Sequence, residues 1–137
     1  MSSNPTGAFN PRMDFFSRVL EVFHRCHLET ILVGNAAAMI HGAPVATQDA
    51  DFLFRDAPVN RKKLKKVAAE LGLGLVQPFM PASEVFRLVG GPVEIDLMPS
   101  LPGYRFESVR AKAEEIDIGT HKIKAAPLEL IIELKTK

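Results

Sequence analysis

The chain has 137 residues, enough for one domain with a real core, and 47% of them are hydrophobic against 24% charged. A formal net charge of +1 supplies no global attraction to nucleic acid or to a membrane surface, so any basic site must be local. A lone cysteine, Cys26, excludes an internal disulfide framework, and there is neither a basic-then-apolar leader nor an apolar run of membrane-spanning length; a cytoplasmic protein without membrane contact is the expectation.

Residues 1–10, rich in Ser, Asn, Pro and Gly, are expected to form a mobile tail, with 11–137 as a single domain. The spacing of Phe15, Val19, Val22 and Phe23 predicts a helix from Pro11 to His27. Thr30-Ile31-Leu32-Val33 has the β-branched, apolar character of a buried strand. Gly34 closes it, Asn35 is suited to cap a short helix through Ile40, and Gly42-Ala43-Pro44 breaks that helix. A strand from Asp49 to Phe54 follows. Asp56-Ala57-Pro58 reads as a turn and Asn60 as the cap of a helix from Arg61 to Leu71, with Gly72 and Gly74 bracketing its end. A short strand is expected at 74–77. Glu84 to Val89, Gly90-Gly91 and Pro92 to Met98 read as a hairpin with a two-residue turn. Pro99 to Gly103 is expected as a loop and Tyr104 to Lys112 as a short helix. Ile116 to Ile118 and Lys122 to Lys124 form a second hairpin-like pair. Pro127 opens a last helix, Leu128 to Leu134. This order predicts an α/β (α+β) domain, a mixed β-sheet flanked by helices.

The chemistry-bearing residues lie on two of these strands. Side chains at i and i+2 of a strand share a face, so Asp49 and Asp51 project together while Ala50, Phe52 and Phe54 point the other way. Neighbouring carboxylates repel unless a cation lies between them or one is protonated, and at neutral pH a divalent metal is the natural resolution. Val93-Glu94-Ile95-Asp96-Leu97 alternates strictly, placing Glu94 and Asp96 on one face. If that strand lies beside the Asp49 strand, three or four acids converge. Such a cluster suits magnesium on a triphosphate, because Mg²⁺ takes a few carboxylates plus phosphate oxygens and keeps several waters.

Gly34-Asn35, Asp49-Ala50-Asp51 and Ile95-Asp96-Leu97 resemble the Gly-(Gly/Ser)…Asp-x-Asp…Asp signature of the nucleotidyltransferase superfamily, whose fold is shared with DNA polymerase β. The stretch from Leu32 through His41-Gly42-Ala43-Pro44 to Thr47-Gln48-Asp49-Ala50-Asp51, with the ending Ala126 to Lys135, is similar to the bacterial branch near AbiEii-type and toxin–antitoxin nucleotidyltransferases. The resemblance spans about residues 12 to 137 in element order. It implies a nucleotidyltransferase-like fold and an enzyme that moves a nucleoside monophosphate from an NTP to an acceptor hydroxyl with two Mg²⁺ ions. The acceptor would be RNA such as tRNA, a protein or a small molecule, and the setting a toxin–antitoxin or phage-defence system. Asp49 and Asp51 would bind both metals. Asp96 would bind one and activate the hydroxyl. Gly34 and Asn35 would lie along the β,γ-phosphates, with Thr47 and Arg87 as further nucleotide contacts. Two positions depart from the pattern: Asn35 replaces a small Gly or Ser, and Val45 stands where an Arg often follows the Pro.

Plainer readings stand beside these. The acids are alternatively solvated residues of an edge strand, though Asp is disfavoured in strands, and Glu94 is the alternative ligand to Asp96. Arg87 either reaches the phosphates or pairs across the hairpin with Glu94. His24, Cys26 and His27 carry ligand chemistry without a second pair to close a zinc site, so helix-surface residues are the expectation. His41 is expected to cap or pack near the Gly42 turn. Arg61, Lys62, Lys63, Lys65 and Lys66 form either a solvated face or a platform for triphosphate or RNA. The departures at Asn35 and Val45 support a rival function, a catalytically degenerate module of the same fold that binds a partner. An RNA-binding accessory domain using the lysine face is a third.

Overall fold

The computed structural model describes residues 11–42, 49–77, 84–117 and 122–135. In chain order it forms α1 (Pro11–Arg25), β1 (Thr30–Val33), α2 (Gly34–Ile40), β2 (Asp49–Phe54), α3 (Pro58–Leu71), β3 (Gly74–Val76), β4 (Phe86–Val89), β5 (Glu94–Met98), β6 (Ser100–Leu101), β7 (Tyr104–Arg105), α4 (Phe106–Lys112), β8 (Glu114–Asp117), β9 (Lys122–Ala125) and α5 (Leu128–Lys135). Seven strands make one mixed sheet in the order β3-β4-β5-β2-β1-β9-β8, and β6 and β7 form a small hairpin apart from it. The α/β class expected from the element order holds. Among the described residues no helix is long and apolar enough to cross a membrane.

The core follows from alternation. Ala50, Phe52 and Phe54 of β2 are buried, as are Ile95 and Leu97 of the neighbouring β5. Phe52 stacks on Phe16 and takes Phe23 edge-on, with ring centroids 6.3 and 5.1 Å apart, which seats α1 on this face. The buried face of α1 is thus Phe16, Val19, Leu20, Val22 and Phe23. Phe15, expected on that face, instead packs at its margin, where a Cβ on Gly91 would run into its ring. α3 lies in the same layer: Leu64 and Val67 are fully buried, and Arg61 stands over the ring of Phe86, which pairs opposite Leu97. On the other face, the alanines of α2 (Ala36, Ala37, Ala38) are buried, small enough for a close approach to the sheet.

Several element ends differ from expectation for identifiable reasons. α1 stops at Arg25 because His27 takes φ 58°, and Leu28 N–H closes back on the Phe23 carbonyl at 2.9 Å. Gly72, at φ 68°, ends α3 in the same way, with Leu73 N–H on the Ala68 carbonyl. α3 begins at Pro58 rather than Arg61, because proline suits the first helical position. Asn60, expected as its cap, donates from Nδ2 to the Arg55 carbonyl at 2.7 Å and so braces the turn. Asn35 likewise is not a cap. The cap position is Val33, extended and without a side-chain hydrogen bond, and Asn35 is an exposed residue of the first turn. The β4–β5 connection is longer than Gly90-Gly91, since Leu88 pairs with Ile95 and β5 starts at Glu94. Pro99 to Gly103 is not wholly loop: Leu101 pairs with Tyr104 around a turn in which Gly103 takes φ 80°.

Phe52 joins α1 to the centre of the sheet, so Phe52→Ala is expected to cost about 3–5 kcal/mol, read as a lower denaturation midpoint in urea.

Candidate functional site

The site is built by one strand pairing. β2 and β5 run parallel with Asp49 opposite Glu94 and Asp51 opposite Asp96. Directly opposed residues share a face, so all four carboxylates project from the same side of the sheet. β4 pairs antiparallel on the far side of β5 and sets Arg87 opposite Asp96. The bases of the cluster are held from behind, because Ala50, Phe52, Ile95 and Leu97 alternate with the acids and are buried against α1 and α3.

Arg87 resolves part of the repulsion. Its Nε donates to Asp96 Oδ1 at 2.8 Å and its Nη2 to Asp96 Oδ2 at 3.3 Å, a two-pronged contact. Glu94 Oε1 lies 3.3 Å from the same Nε. The cross-strand partner of Arg87 is therefore chiefly Asp96, with Glu94 second. Asp51 bears the remaining strain: burial, then the charges of Asp96 and Asp49, push its carboxyl up to about 6, and Arg87 only partly opposes them.

Gly34 is fitted to Asp51. It sits at φ 68°, and a Cβ there would lie 3.0 Å from Asp51 Oδ2. The start of α2 thus lies against the carboxylate, and only glycine permits both the conformation and the approach. At the other end of α2, His41 Nε2–H donates to the Ala126 carbonyl at 2.8 Å, tying the helix to the segment before α5. His41 is a packing and bridging residue.

Beside Asp51 and Gly34 opens a cavity of about 330 Å³ walled by Val33, Met98, Leu101, Leu130 and Leu134. Among the described residues that line it, Asp51 is the one charged side chain. The sequence reading did not single out this cavity. The signal available was the parity of Met98, two residues beyond Asp96, together with the apolar content of α5.

Of the residues expected at the site, Asp49, Asp51, Asp96, Gly34 and Arg87 come together, and Asn35 is exposed nearby at the start of α2. Thr47 lies outside the described residues, as do Ala43, Pro44 and Val45. The lysine-rich face of α3 belongs to the layer opposite the acids, so it does not serve as a platform for a triphosphate held at them. Lys63 is used structurally, donating to the His27 carbonyl at 2.9 Å. Cys26, expected on a helix surface, is buried, and its thiol contacts Glu70 Oε2 at 3.4 Å.

Asp49, Asp51 and Asp96 offer hard oxygen donors in a region of excess negative charge, the chemistry a small divalent cation such as Mg²⁺ takes. Among the described residues no three His, Cys, Asp or Glu side chains already stand in ligand geometry. The oxygens of Asp96 are given to Arg87 instead.

Because the folded protein binds the Asp51 proton more tightly than the unfolded chain, the stability associated with that group is lost as pH rises from about 4 through about 6. Asp51→Asn removes the charge, so it is expected to stabilise the fold by roughly 1–2 kcal/mol at pH 8, with the gain shrinking toward zero near pH 4. Urea titrations at the two pH values read the difference. Gly34→Ala is expected to destabilise by about 1–2 kcal/mol, and by less in an Asp51→Ala background, where the carboxylate it strikes is gone.

No family model and no curated protein matches the chain. Solved structures do. A Thermotoga maritima protein assigned as a nucleotidyltransferase superposes with a TM-score of 0.69 at 13% identity, covering 93% of this chain and 86% of its own. ANT(2'')-Ia, solved with adenylyl-2''-tobramycin, gives 0.66 at 17% identity, covering 90% and 73%. The lincosamide antibiotic adenylyltransferase LnuA, with lincomycin bound, gives 0.63 at 18% identity, covering 88% and 83%. At these identities the likeness is one of fold, and the fold of this chain is nucleotidyltransferase-like.

Proposed function

We propose that the protein transfers a nucleoside monophosphate from an NTP to an acceptor hydroxyl and releases pyrophosphate. The observation that carries this reading is the parallel register that sets Asp51 beside Asp96, with Gly34 fitted against Asp51. The acceptor oxygen attacks the α-phosphorus, the bond to the pyrophosphate oxygen breaks, and the hydroxyl proton passes to a carboxylate of the cluster. Asp96 is assigned to take that proton, since Arg87 fixes its orientation and each oxygen keeps a lone pair. Asp49 and Asp51 are assigned to hold Mg²⁺, which when bound supplies charge neutralisation for the phosphates. Gly34 and Asn35 are assigned to the phosphate chain. Positioning and electrostatics would account for most of the rate, as in phosphoryl transfer generally.

The fold neighbours support this class of chemistry: one is assigned as a nucleotidyltransferase, one is a lincosamide antibiotic adenylyltransferase, and one was solved with adenylyl-2''-tobramycin. Which acceptor this chain uses is not carried over from them. A place in the AbiEii-type branch, and with it a role in toxin–antitoxin or phage defence, rests on the sequence resemblance between Leu32 and Asp51 and at the final helix.

A second reading has one observation in its favour. Arg87 already neutralises part of the acid cluster, as it would in a degenerate module kept for partner binding.

Incubation with α-labelled NTPs and a panel of tRNA, protein and small hydroxyl acceptors separates the two. Label transfer is expected in the wild type, with a loss of at least a thousandfold in Asp49→Ala/Asp51→Ala, whose fold is checked by circular dichroism. Equal transfer by the double variant would sink the enzymatic assignment.

A further inference from the structure

We propose, resting on the nucleotidyl-transfer reading above, that the cavity beside Asp51 holds the base of the NTP and that its aliphatic walls select a purine over a pyrimidine.

What stands at the edge of the cavity assigns it to the nucleotide. Gly34 and Asp51 are among its lining residues, and both are assigned above to the phosphates and their metal. The nucleoside is bonded to the α-phosphate, so a triphosphate held at Gly34 and Asp51 carries its base within reach of the same space. The acceptor belongs elsewhere. Its hydroxyl must meet Asp96, which does not line the cavity and is turned toward Arg87 on β4, the neighbour of β5 away from β2.

Size then sets the class of base. An apolar cavity of about 150 Å³ accommodates a single benzene ring. The volume here is about 330 Å³, room for a fused two-ring base where a single ring leaves a void. The facing walls come from three elements: Met98 at the end of β5, Leu101 of β6, and Leu130 with Leu134 of α5. Side chains of this kind grip by contact area, and a void beside a smaller ligand forfeits that contact.

The walls are held in place by hydrogen bonds outside the cavity. Ala126 N–H donates to the Leu32 carbonyl at 2.9 Å, and His41 donates to the Ala126 carbonyl, which seats the segment leading into α5. Leu101 pairs with Tyr104, whose Oη donates to Glu133 Oε2 at 2.7 Å and ties the hairpin to the helix that carries Leu130 and Leu134. A pocket fixed in this way spares its ligand the cost of ordering it.

Isothermal titration calorimetry with Mg²⁺ and no acceptor tests this without measuring turnover. The full chain is titrated with ATP, GTP, CTP, UTP and inorganic tripolyphosphate, the last reporting on the phosphate site alone. The wild type is expected to bind both purine nucleotides about tenfold or more tightly than either pyrimidine nucleotide. Leu101→Trp fills the cavity from its half-buried rim and is expected to lower ATP affinity by about tenfold or more, with tripolyphosphate affinity unchanged. Leu134→Ala, also at a half-buried position, is expected to weaken ATP by about threefold or more, again without effect on tripolyphosphate, and carries the comparison if circular dichroism shows Leu101→Trp misfolded. A purine nucleotide that binds no better than the pyrimidines, unchanged ATP binding in a folded cavity variant, or parallel loss of ATP and tripolyphosphate in both variants each overturn the base-pocket assignment. A wild type that binds neither NTP nor tripolyphosphate overturns the nucleotidyl-transfer reading itself, and the two failures are thereby distinguished.

Discussion

Like charges are brought together here by hydrophobic force from behind. Each strand of the β2–β5 pair carries acids on one face and buried apolar residues on the other, Phe52 on β2 and Ile95 with Leu97 on β5. Burying a side chain of this size contributes about 1.5–3 kcal/mol, and backbone hydrogen bonds along the ladder fix the register. Repulsion between neighbouring carboxylates in a half-solvated setting is smaller than that sum, so the sheet imposes the cluster and the acids accommodate. The accommodation is visible in two forms, the arginine clasped to Asp96 and the elevated proton affinity of Asp51. A site assembled this way keeps excess negative charge in its resting state, and perturbed titratable groups of this kind cluster at functional sites.

How far the sequence discloses this depends on the range over which each determinant acts. Alternation is local, so the facing of Asp49 with Asp51, and of Glu94 with Asp96, could be read from a few residues. The strands themselves fell at Thr30–Val33 and Asp49–Phe54 as expected. Pairing is not local. Nothing in either strand states that β2 and β5 lie side by side, since the choice is made by which buried faces fit together under α1 and α3. Arg87 shows the same limit. Opposition to Glu94 assumes a two-residue turn, and the longer connection moves Asp96 into that place. Capping residues misled for a different reason: Asn60 and Asn35 have side chains that suit a helix start, but Pro58 and the Val33–Gly34 strand exit set the starts earlier, and the asparagines took other work or none. The cavity walled by β5, β6 and α5 is a wholly tertiary object.

Charge is sorted between the layers. Arg61, Lys62, Lys65 and Lys66 stand on α3, across the sheet from the acids, where they dress a helix with solvent-facing charge. Elsewhere, ion pairs staple the periphery: Glu29 accepts from Arg110 at 2.6 Å and Lys124 at 2.7 Å, joining the approach to β1 with α4 and β9. Burial disfavours the charged form of Glu29, yet hydrogen bonds from Lys124 and Arg110 outweigh it and hold the carboxyl below its ordinary range. Pairs of this exposed kind contribute at most about 1 kcal/mol each, so they trim the orientation of outer elements while the aromatic contacts of Phe52 set the centre.

The parallel β2–β5 ladder also dictates when the site can come into being. Parallel neighbours cannot be joined by a tight turn, and the chain leaves β2 through α3, β3 and β4 before returning as β5 alongside it. Ladder formation therefore requires closing a long loop, an entropic cost offset by the apolar surface that the intervening helix and strands bury. The cluster exists only where that ladder has closed, so an unfolded chain carries the four acids apart and has no assembled cluster to attract a cation.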